Sequence, residues 1–179
     1  MSVEELISVL PPPEVPSNTG SSNEWSLVEK DIGIKLPSDY KEFISTYGAG
    51  GIDEFLWILT PFVKDKNVNL LKQIDVICSS YMDSKSHFPN MFKHTAFPNH
   101  DGLLPWSITD NGNVLYWESK GNPENWPIVV YKSRSPDYIE YKYSMTEFLT
   151  ELIKGNIKCD AFPSDFPDQP AEFISVDVE

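Results

Sequence analysis

Apolar residues recur at helical spacing in several stretches of this chain. Val3, Leu6, Ile7 and Leu10 follow the i, i+3, i+4, i+7 stripe of a short amphipathic helix, and Pro11-Pro12-Pro13 forbids its continuation. Residues 14–22 are rich in Pro, Ser, Asn and Gly and lack periodicity, so the first helix is expected as a mobile or separately docked element. Ser22 or Asn23 can cap a second helix carrying Trp25, Val28 and Ile32 on one side, with Gly33 placed to stop it in a left-handed conformation. Leu36-Pro37 restarts the chain as a third helix with proline in its first turn, a face of Tyr40, Phe43, Ile44 and Tyr47, and Gly48 at its end.

Beyond Gly50-Gly51 the run Ile52 to Thr60 is aromatic and β-branched and predicts a strand ending at Pro61. Asn67 can cap a helix burying Leu70, Leu71, Ile74, Ile77, Cys78 and Tyr81. Periodicity fails from Met82 to Asp101, which predicts a loop with one short strand around Ala96-Phe97. Two strands, Leu103 to Thr109 and Val114 to Glu118, flank Asp110-Asn111-Gly112-Asn113, and Asn-Gly is the strongest short-range hairpin signal. Strands over Ile128 to Lys132 and Tyr138 to Lys142 follow. Ser144 and Glu147 form a capping box opening a helix with Met145, Phe148, Leu149, Leu152 and Ile153 inward. Helices first, then one strand, a helix, a meander and a closing helix make an α+β pattern: an antiparallel sheet of about five or six strands covered by helices. Three segments result: helix and linker over 1–22, a domain over 23–156, and a tail over 157–179 that is acidic and carries Phe162, Phe166 and Phe173 among prolines. Those phenylalanines predict a strap lying on the body.

Composition narrows the partners. Among 179 residues, 14 Lys and Arg against 27 Asp and Glu give a net charge of −13, which argues against direct contact with nucleic-acid backbones or anionic membranes. Two cysteines fit a reducing compartment better than a disulfide framework, the first residues are acidic where an export signal would be basic, and the longest apolar run is far below the roughly 18 residues of a spanning helix. The expected location is the cytoplasm.

Catalytic patterns are missing from the sequence: there is no G-x-S-x-G, H-E-x-x-H, G-x-G-x-x-G or phosphate loop. His87, His94 and His100, with Asp101 beside them, match no metal-ligand spacing and read as polar residues of a long loop; a small hydrolase built on them is the weakest of three function classes. Cys78 falls on an apolar helix stripe, where a thiol is inert. No catalytic residue, cofactor or metal is expected.

One set of residues carries a family likeness. Trp25-Ser-Leu-Val-Glu29, then Ile32-Gly33-Ile34-Lys35-Leu36-Pro37-Ser38-Asp39-Tyr40-Lys41-Glu42-Phe43-Ile44, then Tyr47-Gly48-Ala49-Gly50-Gly51-Ile52 resembles the opening signature of the SUKH (SMI/KNR-like) superfamily. Leu104-Pro105-Trp106, Asp110 to Trp117 and the helix from Ser144 to Ile153 resemble its second half, so the likeness spans about Asn23 to Asn156. That superfamily unites bacterial immunity proteins with fungal cell-wall-synthesis regulators. The resemblance implies an α+β fold without an enzyme site, and most commonly a cytosolic antidote that binds a toxin delivered by neighbouring cells. The alternative it implies is a regulatory protein-interaction scaffold. The motif residues are structural, and none carries over as a partner contact.

The acidic excess reads either as solubility or as steering of a cationic partner. On the second reading the partner is a cognate protein toxin, with a basic nuclease the best single fit. The candidate contacts are Asp53, Glu54, Asp101, Asp110 and Glu124, with Trp126 in the loop Gly121 to Pro127 as an exposed aromatic anchor. Trp106 and Trp117 are read as core.

Overall fold

The computed structural model describes residues 3–176. Among them the elements run α1 (Val3–Val9), α2 (Ser22–Ile32), α3 (Ser38–Tyr47), β1 (Gly50–Ile52), β2 (Leu56–Ile58), α4 (Leu70–His87), β3 (Leu103–Thr109), β4 (Val114–Glu118), β5 (Ile128–Tyr131), β6 (Tyr138–Tyr141), α5 (Met145–Ile153) and β7 (Phe173–Ser175). A single 3-10 turn, Pro123–Asn125, lies between β4 and β5. All seven strands form one antiparallel sheet in the order β6-β5-β4-β3-β2-β1-β7. The fold is α+β, as its residue pattern predicts, with more strands than the five or six expected.

The extra strands have two sources. The run Ile52 to Thr60 is no single strand, because Asp53 and Glu54 adopt left-handed φ of 53° and 52° and fold β1 back on β2. Three residues, Asp53, Glu54 and Phe55, separate the paired Ile52 and Leu56, and two successive positive φ values are reached here without glycine or asparagine. The second source is the tail. Phe173–Ser175 pairs with β1, Phe162 and Phe166 pack on Phe55, and the segment is a strap as its phenylalanines suggest. Two of the tail's six acids, Asp177 and Glu179, lie outside the described residues.

Register assigns the side chains to two faces. The inner face carries Ile52, Leu56, Ile58, Phe173, Trp106, Leu115, Trp117 and Val130, and α1, α3 and α5 lie over it. Tyr40 packs edge-on to Trp117, and Phe43 and Tyr47 meet Phe173. Two buried hydroxyls are satisfied by carbonyls: Tyr40 donates to Leu59 at 2.6 Å and Tyr47 to Leu10 at 2.6 Å. The second bond seats the first helix. Leu6 and Leu10 are fully buried and α1 packs on α5 and α3, so the expectation of a mobile element gives way to one built into the core. The proline run ends α1 without freeing it.

Adjacent glycines separate the two faces at β1. A Cβ on Gly50 would lie 2.5 Å from the Phe173 ring on the inner side, and one on Gly51 would lie 2.7 Å from the Trp57 ring on the outer side. Each strand residue gives its side-chain space to an aromatic neighbour. The motif's other fixed point is Glu29, 6% exposed at the α2–α3 junction. Burial disfavours its charge, but the Leu36 N–H, Lys35 and Lys41 outweigh that and hold its carboxyl at about 2. The helix starts differ slightly from expectation. Ser21 caps α2 with a full capping box to Glu24, Pro37 takes the N-cap position of α3 instead of its first turn, and Asn69 in place of Asn67 caps α4.

Candidate partner-binding surface

The acidic candidates divide between the two ends of the sheet. Asp53 and Glu54 form the β1–β2 turn, and Asp110 opens the β3–β4 turn beside it, its N–H bonding the Phe55 carbonyl at 3.0 Å. Asp101 precedes β3 and Glu124 and Trp126 lie between β4 and β5, at the opposite end. The six do not make one surface.

Several of them have structural work. Asp53 accepts from the N–H groups of Asp168 and Glu172, both at 2.8 Å, and ties the tail to the turn. Glu124 accepts from the Ser38 N–H at 2.9 Å and from its hydroxyl, supplying from a distant loop the cap that Pro37 cannot give α3. Asp39 adds to the capping box that Ser144 and Glu147 already give α5, accepting from the Thr146 N–H at 2.9 Å. These carboxylates, with Glu42, Glu147 and Lys142, line a cleft of about 750 Å³ where the N-termini of α3 and α5 converge. Three of its four acids thus sit against the positive ends of helices, which absorbs their charge locally.

Trp126 corrects the expectation of an exposed anchor. It is 3% exposed, packs on Trp117, and donates its indole N–H to the Gly121 carbonyl at 3.2 Å. Asp101, with a left-handed φ of 56°, sits in the turn before β3 with His100 Nδ1 3.1 Å away.

An aromatic residue flanked by acids does exist, on the outer face. In β2 the fully buried Leu56 and Ile58 point inward, so Trp57 points outward, half-buried over Gly51 and opposite Ile108. Its indole N–H donates to Asp110 Oδ1 at 2.9 Å. Trp57, Ile108 and Val176 floor a cleft of about 430 Å³ whose charged lining residues are Asp65 and Asp110. Lys64 and Lys66 neighbour Asp65 in sequence but do not line it. Trp57 escapes a sequence reading because Phe55 to Leu59 is apolar at every position and so signals burial on both faces. Among the described residues no helix covers this corner, because α4 crosses the outer face over β3.

The histidines do not converge. His94 Nδ1 lies 2.8 Å from the Tyr131 hydroxyl and His94 Nε2 3.5 Å from Glu140, His87 bonds within α4, and His100 lies in the turn before β3. Among the described residues no group of three or more His, Cys, Asp or Glu could hold a metal ion. Burial pushes the Cys78 thiol up to about 12 and raises that of Cys159, so neither is a thiolate at neutral pH. No helix among the described residues is long and apolar enough to cross a membrane.

The SUKH_6 family, described as SMI1-KNR4 cell-wall, matches residues 22–149. The chain belongs to this family, and thereby to the superfamily its helix–glycine–helix opening resembles. No curated protein and no solved structure gives a significant match to it.

Proposed function

We propose that this chain is a non-enzymatic immunity protein, acting in the cytoplasm, that binds and neutralises a basic protein toxin, of nuclease type, from a contact-dependent system. The observation that carries the reading is the cleft in which Trp57 lies between Asp65 and Asp110, with Glu54 on the adjoining turn. An indole face flanked by two carboxylates suits a Lys or Arg side chain, which gains from both the ring and the acids. The net charge of −13 adds long-range steering toward a cationic surface. Membership of the SUKH family supports a binding module in place of an enzyme.

The test is to express the product of the adjoining gene in bacteria with and without this chain, then measure complex formation by the purified proteins against salt. The expected result is protection by a stoichiometric complex whose association slows as salt rises, with Asp110→Lys lowering the on-rate. Toxicity that this chain leaves unchanged, or a complex indifferent to salt, overturns the proposal. A complex with a non-toxic neighbour would transfer the surface to the regulatory-scaffold alternative.

A further inference from the structure

On the other side of the Ile108–Val114 pair the outer face opens into a second cleft, of about 700 Å³, between α4 and the strands β4 and β5. Val114, Tyr116 and Tyr131 form its floor, and Val76 and Ile77 of α4 form one wall. Its mouth is apolar: Val76, Phe88 and Met91 are 62%, 56% and 52% exposed. An open trough along a helix, rimmed by flexible and aromatic side chains, has the shape that receives the apolar face of another helix. A small ligand would instead leave that rim in water.

Charge here is the inverse of the rest of the molecule. Among the described residues no Asp or Glu lines this cleft, whereas Lys132 and Arg134 do. Arg134 is the chain's single arginine; it is exposed and makes no ion pair among the described residues. Its φ is 54°, a left-handed turn position where glycine or asparagine is the ordinary occupant. What the position offers is an exposed, unpaired guanidinium at the rim of an apolar cleft. A guanidinium pairs with a carboxylate through two parallel hydrogen bonds, and Ser133 and Ser135 add hydroxyls on either side.

We infer that this cleft is a docking groove for an amphipathic helix of a protein partner, its apolar face on Val76, Met91 and Val114 and a flanking aspartate or glutamate on Arg134. The inference rests on the reading of the chain as a protein-binding module, and is independent of the toxin's charge.

The experiment is fluorescence anisotropy of a short labelled helix with Leu and Phe on one face and Glu along its flank, beside an analogue with Lys for each Glu. Both are titrated with the full chain and with Arg134→Glu and Val76→Asp, two exposed positions, after thermal unfolding shows each variant folded. The Glu probe should bind saturably, and each substitution should weaken it by about tenfold or more. The Lys analogue should prefer Arg134→Glu. No saturable binding of the Glu probe, or equal binding by Arg134→Glu, overturns the inference. So does sedimentation showing a dimer that Val76→Asp dissolves, since that assigns the groove to a second copy. Toxin protection without probe binding removes this inference alone, and probe binding without protection removes the toxin reading alone.

Discussion

Three helices, α1, α3 and α5, cover the inner face of the sheet, while α4 alone crosses the outer face, and the aromatic residues register the difference. Trp106, Trp117, Tyr40, Tyr47, Phe43 and Phe148 are fully buried on the inner side. On the outer side Tyr81, Tyr116 and Tyr131 are buried where α4 crosses, but Trp57 and Tyr138 are half-buried and Phe88 is exposed. The inner face is therefore closed by its helices, whereas the outer face keeps two clefts of opposite character, one acidic around Trp57 and one cationic at Arg134. A scaffold organised this way can change its outer residues without loosening its core, which is how one fold serves many partners.

The comparison breaks most visibly at Tyr40. Tyr40→Ala removes a ring with no exposure and the hydroxyl bond to Leu59, and should cost about 3–5 kcal/mol in denaturant unfolding. A loss under about 1 kcal/mol would mean that the inner face does not carry the fold.

Glu29 sharpens it next, because it joins α2 to the inner-face helix α3. Its folded carboxyl sits at about 2 against an ordinary 4.5, so its charge stabilises the fold fully above pH 4.5 and the contribution fades as pH falls from there toward 2. Wild type should exceed Glu29→Gln by about 2–3 kcal/mol at neutral pH, and the gap should close by pH 2. A gap that does not change with pH would show that the ion pairs are not its source.

Trp57→Ala should cost only about 1 kcal/mol of stability, against about 3 for Trp126→Ala, because the first ring is partly exposed and the second is core. Surface plasmon resonance with the proposed toxin partner should show Trp57→Ala raising the off-rate by the equivalent of about 2 kcal/mol. The smallest effect belongs to Arg134→Gly. Releasing a left-handed arginine should raise stability by about 0.5–1 kcal/mol while weakening binding of the acidic helix probe, by less than the charge reversal Arg134→Glu does. A destabilised Arg134→Gly would place the residue in the fold's support and not in its recognition surface.

Sequence pattern made the inner face and the buried stripe of α4 legible and left the clefts beside α4 hidden. Helical stripes mark what α3 and α5 bury, and Asn111-Gly112 marks the β3–β4 hairpin, because each is a local signal with a local cause. The β1–β2 turn gave no such signal: Asp53 and Glu54 both take left-handed backbones, and the turn is tied through Asp53 alone to Asp168 and Glu172, over a hundred residues away. Trp126 misleads for a related reason. Its loop composition describes the backbone, whereas the indole reaches back under the sheet to Trp117. Strand β7 is three residues in a proline-rich stretch, and only its partner makes it a strand. The acids were visible as charge, but which of them cap helices and which face a cleft depends on tertiary neighbours.

The pairing of β7 with β1 also sets a timetable for synthesis. Strand β1 at Gly50–Ile52 has β2 on one side almost at once, but its other side waits for Phe173–Ser175, and α1 waits for α5. While the intervening residues emerge from the ribosome, β1 is a bare edge able to pair with any extended chain, including a sister copy on the same message. The three-residue length of β1 keeps that edge short. Its Gly50-Gly51 start, explained above by the rings it accommodates, also makes the waiting strand a poor template, since two glycines have little tendency to remain extended.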